Sequence, residues 1–222
     1  MTRALPFALI LLFGCASSSP EDPSAAKSSA KPTDDAKPAA AKPSEPAPVL
    51  FEAEDGMSGY RDAEGKIVIP AQFPMAMPFE GEVAGVVAGE GWMFIDRTGR
   101  KLATAFNFDN GPDAFVEDRA RIVDADKYGF IAASSGKIVI APTWSFALPF
   151  AGGLAAVCEG CVREQDGDHF MMTGGKWGYI DLAGEVVIAP RFDQAEPFAE
   201  GRASVREGER RFVIGPDGSE LK

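Results

Sequence analysis

Histidine is almost missing from this chain: His169 stands alone among 222 residues, and there are three cysteines. A nucleophile–base arrangement needs a base held by a partner, and one histidine leaves little to build it from. Basic charge is scarce too, with 22 lysines and arginines against 33 acids and a net charge of −11. An acidic domain repels phosphate backbones and anionic surfaces, which argues against nucleic acid as a partner. No apolar run reaches the ~20 residues that a membrane-spanning helix requires. No phosphate-binding loop occurs, since Gly65-Lys66 is followed by Ile67, and no Gly-x-Ser-x-Gly elbow exists. Asp124-Ala125-Asp126-Lys127-Tyr128-Gly129 starts like a calcium loop, but Ser135 stands at the twelfth position, where a bidentate glutamate is needed. Carboxylates are so plentiful that naming two of them acid and base would be arbitrary. The expectation is a protein that is not an enzyme and carries no cofactor.

What is present begins at the N-terminus. Met1–Cys15 carries one charge, Arg3, and then an apolar stretch from Ala4 to Phe13. That length suits the hydrophobic region of a signal peptide. The segment closes with Leu12-Phe13-Gly14-Cys15, which resembles a bacterial lipoprotein box, although Phe13 replaces the usual small residue. An ordinary cleaved signal with a chance cysteine is the other reading. The resemblance implies acyl chains on the thiol and the freed amine of Cys15, and two or more chains anchor stably where one does not. Ala16 follows, where an aspartate would resemble an inner-membrane retention signal. The expected location is the cell envelope, lipid-anchored, and in a Gram-negative source the outer membrane, facing periplasm or cell surface. Residues 16–50 are rich in Ser, Ala, Pro and Lys and lack the apolar residues that offset ordering entropy. They read as a disordered tether reaching between about 33 Å as a coil and about 100 Å as polyproline II.

The remaining 51–222 is a set of repeats. Glycines at 65, 99, 136, 184 and 218 serve as origins, spaced 34, 37, 48 and 34 residues apart. After Gly184 come Phe192, Phe198, Ala203 and Val205; after Gly65 come Phe73, Phe79, Ala84 and Val86; after Gly136 come Trp144, Phe150, Ala155 and Val157, all at the same offsets. After Gly99 the later anchors slip by two, to Phe115, Ala120 and Ile122, although Trp92, Phe94, Ile95 and Asp96 precede it in register. A fifth, truncated unit is Phe212–Gly218. Asp181-Leu182-Ala183-Gly184, Asp62…Gly65 and Asp96…Gly99 have turn chemistry: aspartate caps amides ahead of it and glycine accepts a left-handed conformation. Strands are expected at Trp177–Ile180 and Glu185–Ile188, the latter stopped by Pro190, as Pro70 and Pro142 stop Lys66–Ile69 and Lys137–Ile140. Arg202–Arg206 alternates, with Ala203 and Val205 on one face and Arg202, Ser204 and Arg206 on the other. No unit buries its aromatics alone, so neighbours must stack. The fold class is therefore all-β, a tandem array of short antiparallel hairpins in an open curved stack, with a closed propeller-like ring as the alternative. The origin glycines, Trp92, Trp177, Phe79, Phe150 and Phe198 are read as turn and core.

Lys176-Trp177-Gly178-Tyr179-Ile180-Asp181, Val187–Asp193 and Pro197–Ala203 resemble the WG-repeat (KWG) family of bacteria. Trp92-Met93, Tyr128-Gly129 and Ser58-Gly59 are degenerate forms of the Trp-Gly pair, and the third unit lacks the turn aspartate. The resemblance implies a β-repeat scaffold, often on envelope or secreted proteins, and no single activity.

The wide spacing before Gly184 reveals an insertion at about 158–175. It holds Cys158-Glu159-Gly160-Cys161 and then Asp166-Gly167-Asp168-His169. In an oxidising compartment the two cysteines should pair. A redox pair at a helix N-terminus, zinc bound by Cys158, Cys161 and His169, and free thiols remain alternatives, though no helix pattern follows and zinc lacks a clear fourth ligand. The function expected is a non-enzymatic envelope lipoprotein presenting its repeats to a protein or cell-wall partner. The opposing reading is a small redox or metal-binding protein acting through the insertion.

Overall fold

Short β-branched runs divided by Asp and Gly favour brief antiparallel strands joined by tight turns. The computed structural model describes residues 46–222, apart from 90, 109 and 168 and the side chains at 108, 166 and 169. The signal segment, Cys15 and the tether as far as residue 45 lie outside the described residues. Every regular element among them is a strand, and the strands form seven small sheets, none closed into a barrel. The first strand, Val49–Glu52, begins inside the stretch assigned to the tether, so the array starts before residue 51.

Five sheets repeat one plan. In the first four the central strand carries the Trp-Gly position: Ser58–Arg61, Gly91–Ile95, Lys127–Ala132 and Lys176–Asp181; in the fifth, the corresponding strand Arg210–Ile214 lies at the sheet edge. On one side, in the first four, lies the strand that follows through the Asp…Gly turn: Ile67–Phe73, Lys101–Thr104, Ile138–Trp144 or Val186–Phe192. The strand on the other side comes from the preceding repeat. Ala84–Ala88 pairs with Gly91–Ile95, Arg119–Asp124 with Lys127–Ala132, Leu154–Glu159 with Lys176–Asp181, and Ala203–Glu207 with Arg210–Ile214. Val49–Glu52 fills that place in the first sheet. Three strands that read as one unit in sequence thus belong to two sheets, and main-chain hydrogen bonds join neighbouring repeats.

Four cores result. Each is completed by an isoleucine from the corresponding strand of the next sheet: Ile95 in the first, Ile131 in the second, Ile180 in the third and Ile214 in the fourth. Among the described residues no core precedes the first central strand, and the equivalent position there is an exposed Arg61. Edge-on ring pairs Tyr60–Phe79, Phe130–Phe150 and Tyr179–Phe198, with centroids 4.8, 4.8 and 4.9 Å apart, recur from repeat to repeat. Such pairs contribute about 0.5–1.5 kcal/mol beyond their buried area. Trp92, Trp177, Phe150 and Phe198 are buried and Phe79 is half-buried.

The turns follow their chemistry. Asp62, Asp96 and Asp181 accept hydrogen bonds at Oδ1 from the amides of Lys66, Arg100 and Glu185, at 2.8, 3.0 and 2.9 Å. Gly65, Gly99, Gly136 and Gly184 all have φ between +62° and +88°. A Cβ on Gly99 would come within 3.2 Å of Ile69, and one on Gly184 within 3.1 Å of Ile140, so each turn packs on the preceding repeat. The third turn has no aspartate of its own. Asp118, from the preceding repeat, takes over and accepts from the Ser134 amide at 2.7 Å and its hydroxyl at 2.6 Å.

One expectation fails for a physical reason. Pro70, Pro142 and Pro190 do not stop their strands, which run on to Phe73, Trp144 and Phe192. Each proline lies in a bulge on an edge strand, where no ladder amide is required. Tyr179 faces Ile188 and Trp177 faces Phe192, so two residues on the central strand span four on its partner. The bulge pushes backbone against the central strand: a Cβ on Gly178 would meet the Pro190 nitrogen at 2.7 Å, and one on Gly59 the Ala71 nitrogen at 2.6 Å. In the second repeat the partner strand has no proline and no bulge at this point, Met93 pairs directly with Thr104, and a side chain fits. The glycine and the proline bulge therefore come and go together. The alternation expected over Arg202–Arg206 is present, with Ala203 and Val205 buried and Arg202 and Ser204 exposed, whereas Ala84–Val86, Ala120–Ile122 and Leu154–Cys158 are buried at every residue. Other segments cover their second faces, as Pro112 does over Gly85.

Candidate functional site

The insertion sits at the turn between a borrowed strand and its central strand. Leu154–Glu159 pairs with Lys176–Asp181, and between them Val162–Asp166 and His169–Thr173 form a separate hairpin. Cys158 and Cys161 are disulfide-bonded across Glu159-Gly160, with Cα atoms 5.9 Å apart and Gly160 at φ +75°. Opposite, a Cβ on Gly175 would meet the Glu159 oxygen at 2.5 Å, so two backbones meet closely at the base of the hairpin. The bonded sulfurs are not thiolates, which zinc and redox nucleophiles both require. No group of three His, Cys, Asp or Glu among the described residues could hold a metal ion. The side chains of Asp166 and His169, and all of Asp168, lie outside the described residues.

Arg163 pairs with Met172 and Gln165 with Phe170, so by alternation these four share one face of the hairpin. Arg163, Phe170 and Met172 line a cleft of about 830 Å³ whose opposite side includes Phe106, Tyr128 and Phe146. Those three rings touch one another, with centroids 5.6 Å apart for Phe106–Tyr128, 6.2 Å for Phe106–Phe146 and 4.8 Å for Tyr128–Phe146. Beneath them lies a buried ion pair. Arg121 donates from Nε and Nη2 to the two carboxylate oxygens of Asp113, at 2.9 and 2.6 Å, and from Nη1 to the Ala147 carbonyl at 3.1 Å. Its guanidinium also lies 4.2 Å from the Phe106 centroid. Both side chains are close to 5% exposed, so the pair holds only because each charge is neutralised and hydrogen-bonded. Burial pushes the Tyr128 phenol above its usual range, and it stays protonated at ordinary pH.

Sequence reasoning missed this pair. Arg121 stands between the anchors Ala120 and Ile122, where Gly85, Ala156 and Ser204 stand in the other repeats. A large cation among small residues was the available signal. A second feature is repetitive. At the start of the proline strand, Ile67, Ile138 and Val186 are 57%, 49% and 50% exposed. Lys101 holds the same offset in the second repeat.

Residues 59–91, 128–160 and 177–210 match the profile of the WG containing repeat. The chain carries WG repeats. The matched segments leave out the second repeat of the array, whose central strand has Met93 in place of the glycine. This array thus holds a repeat without the signature glycine, and there the bulge opposite is missing too. No curated protein matches the chain.

Proposed function

We propose that this WG-repeat protein is an exported, lipid-anchored binding protein of the cell envelope, without catalytic activity, that presents its repeats to a protein partner. The observation that carries the reading is the exposed branched residue placed at one offset in three repeats, Ile67, Ile138 and Val186. Single exposed apolar residues are ordinary; the same one in register repeat after repeat makes a spaced set of contacts. The strands that carry them lie at sheet edges, and their bulged prolines blunt those edges against strand addition. Contact would therefore run through side chains, and apolar ones suit protein better than carbohydrate. The anchor rests on Leu12–Cys15, and the proline-rich stretch behind it supplies the reach.

Metabolic labelling with a palmitate analogue tests the anchor: wild type takes label and Cys15→Ser does not. An unlabelled wild type defeats that half of the proposal. For the surface, Ile67→Ser/Ile138→Ser/Val186→Ser should keep the melting temperature within a few degrees and lose a band captured from envelope extract by the full chain. Capture that is identical for both proteins removes the surface.

A further inference from the structure

The cleft under the inserted hairpin carries a different message from the repeat face, and nothing in the repeat architecture calls for it. Its volume of about 830 Å³ lies in the range of small-molecule sites. Its walls are largely aromatic and aliphatic, yet among the described residues three charged side chains line it: Asp113, Arg121 and Arg163. The first two cancel in their bidentate pair. Arg163 is left, so a chain of net charge −11 presents a cleft with a surplus positive charge.

Arg163 is not engaged elsewhere. Its guanidinium lies 3.5 Å from the Phe170 ring centroid, and none of the ion pairs or hydrogen bonds of the described residues involves it. A guanidinium held against a ring keeps its N–H groups in the plane, where they match the two oxygens of a carboxylate. Tyr128 supplies a second donor. Its hydroxyl has no hydrogen bond to any described residue, unlike Tyr60 and Tyr179, which donate to the carbonyls of Met77 and Glu196 at 2.7 and 2.8 Å. Arg163 and Tyr128 line the same cleft and also the smaller one that adjoins it, so the two groups face one region. Beside them lie the apolar faces of Phe106, Phe146 and Met172.

We propose that this cleft binds a small amphiphilic carboxylate, with its anionic end on Arg163 and Tyr128 and its aliphatic or aromatic body against Phe106, Phe146 and Met172. The site stands apart from the partner surface proposed above and does not depend on it. The inserted hairpin explains itself on this reading: it brings the cation and one wall to a place where the other repeats have only a tight turn.

Titration calorimetry with decanoate tests the proposal, using the full chain with Cys15→Ser so that no detergent competes. Decanoate should bind one-to-one, decanol at least tenfold more weakly, and decyltrimethylammonium not measurably. Arg163→Gln, at an exposed position where folding is not at stake, should weaken decanoate tenfold or more and leave decanol unchanged. Lys127→Gln, an exposed cation outside the cleft lining, should leave decanoate binding as it was. The proposal is overturned if wild type fails to bind decanoate, if the cationic amphiphile binds as well, or if the two variants weaken binding equally.

Discussion

The second and fourth repeats perform the same structural task with different residues. In the fourth, Trp177-Gly178 faces a strand that bulges around Pro190; in the second, Met93 and Phe94 pair one-to-one with Thr104 and Ala103, and the register shifts only beyond them. Both tryptophans are buried to the same degree, at 6–7% exposure. Glycine is thus a response to the bulge opposite, whereas tryptophan answers to the core. The repeats also differ one strand later, where the fourth has an exposed Ser204 and the second buries Arg121 against Asp113.

That last difference should give the largest effect. Asp113→Ala leaves a buried guanidinium unpaired and should cost about 3–5 kcal/mol in urea unfolding. Ser204→Ala, at the position that corresponds to Arg121, should stay within about 0.5 kcal/mol. Pairing Asp113→Ala with Arg121→Met should restore part of the loss, since the uncompensated charge is then gone. The tryptophans should not differ: Trp92→Ala and Trp177→Ala should each cost about 3–5 kcal/mol. A much smaller cost at Trp92 would mean that the second repeat is not held as the fourth is.

The glycine comparison comes next. Gly178→Ala forces a Cβ against the backbone of Ala189 and Pro190 and should cost about 1–3 kcal/mol. Met93→Ala, which only trims a half-buried side chain, should cost about 1 kcal/mol or less. If the two costs came out equal, the link between glycine and bulge would be lost.

The smallest effect concerns the turn carboxylates. Partial desolvation would raise Asp96 and Asp118, but hydrogen bonds from Thr98 and Arg100, and from Ser134 and Arg119, prevail and hold both below the ordinary carboxylate range. A carboxylate depressed on folding stabilises fully above its unfolded value of about 3.9, and that contribution fades as pH falls through the folded value. The urea midpoint should therefore hold steady from neutrality to about pH 5 and decline below about pH 4. Asp118→Asn should lower the plateau slightly and flatten the decline. An unchanged acid limb in that variant would show that Ser134 does not depend on Asp118.

How much of this was legible follows the range of each interaction. The Asp…Gly turns and the anchors Phe73, Phe150, Phe192 and Phe198 are local or periodic, and the repeat spacing displays them directly. The bulges were hidden because a proline after β-branched residues looks like a strand end, and only the partner strand reveals that pairing resumes beyond it. The substitution of Asp118 for a missing turn residue crosses 16 positions, with no local pattern to announce it. The same holds for the cleft: Arg163 and Tyr128 line it together, and no motif links them in sequence.

The strand and isoleucine that each repeat lends across its boundary make the folding unit longer than the sequence period. A peptide of one period, such as 177–210, would hold a central strand with one flank bare and a final strand with nothing complete to pair with, and it would lack Ile214 to shut its core. Such a fragment should remain unfolded in solution, while the intact array should melt as a single block, because loosening any one junction opens sheets on both sides of it.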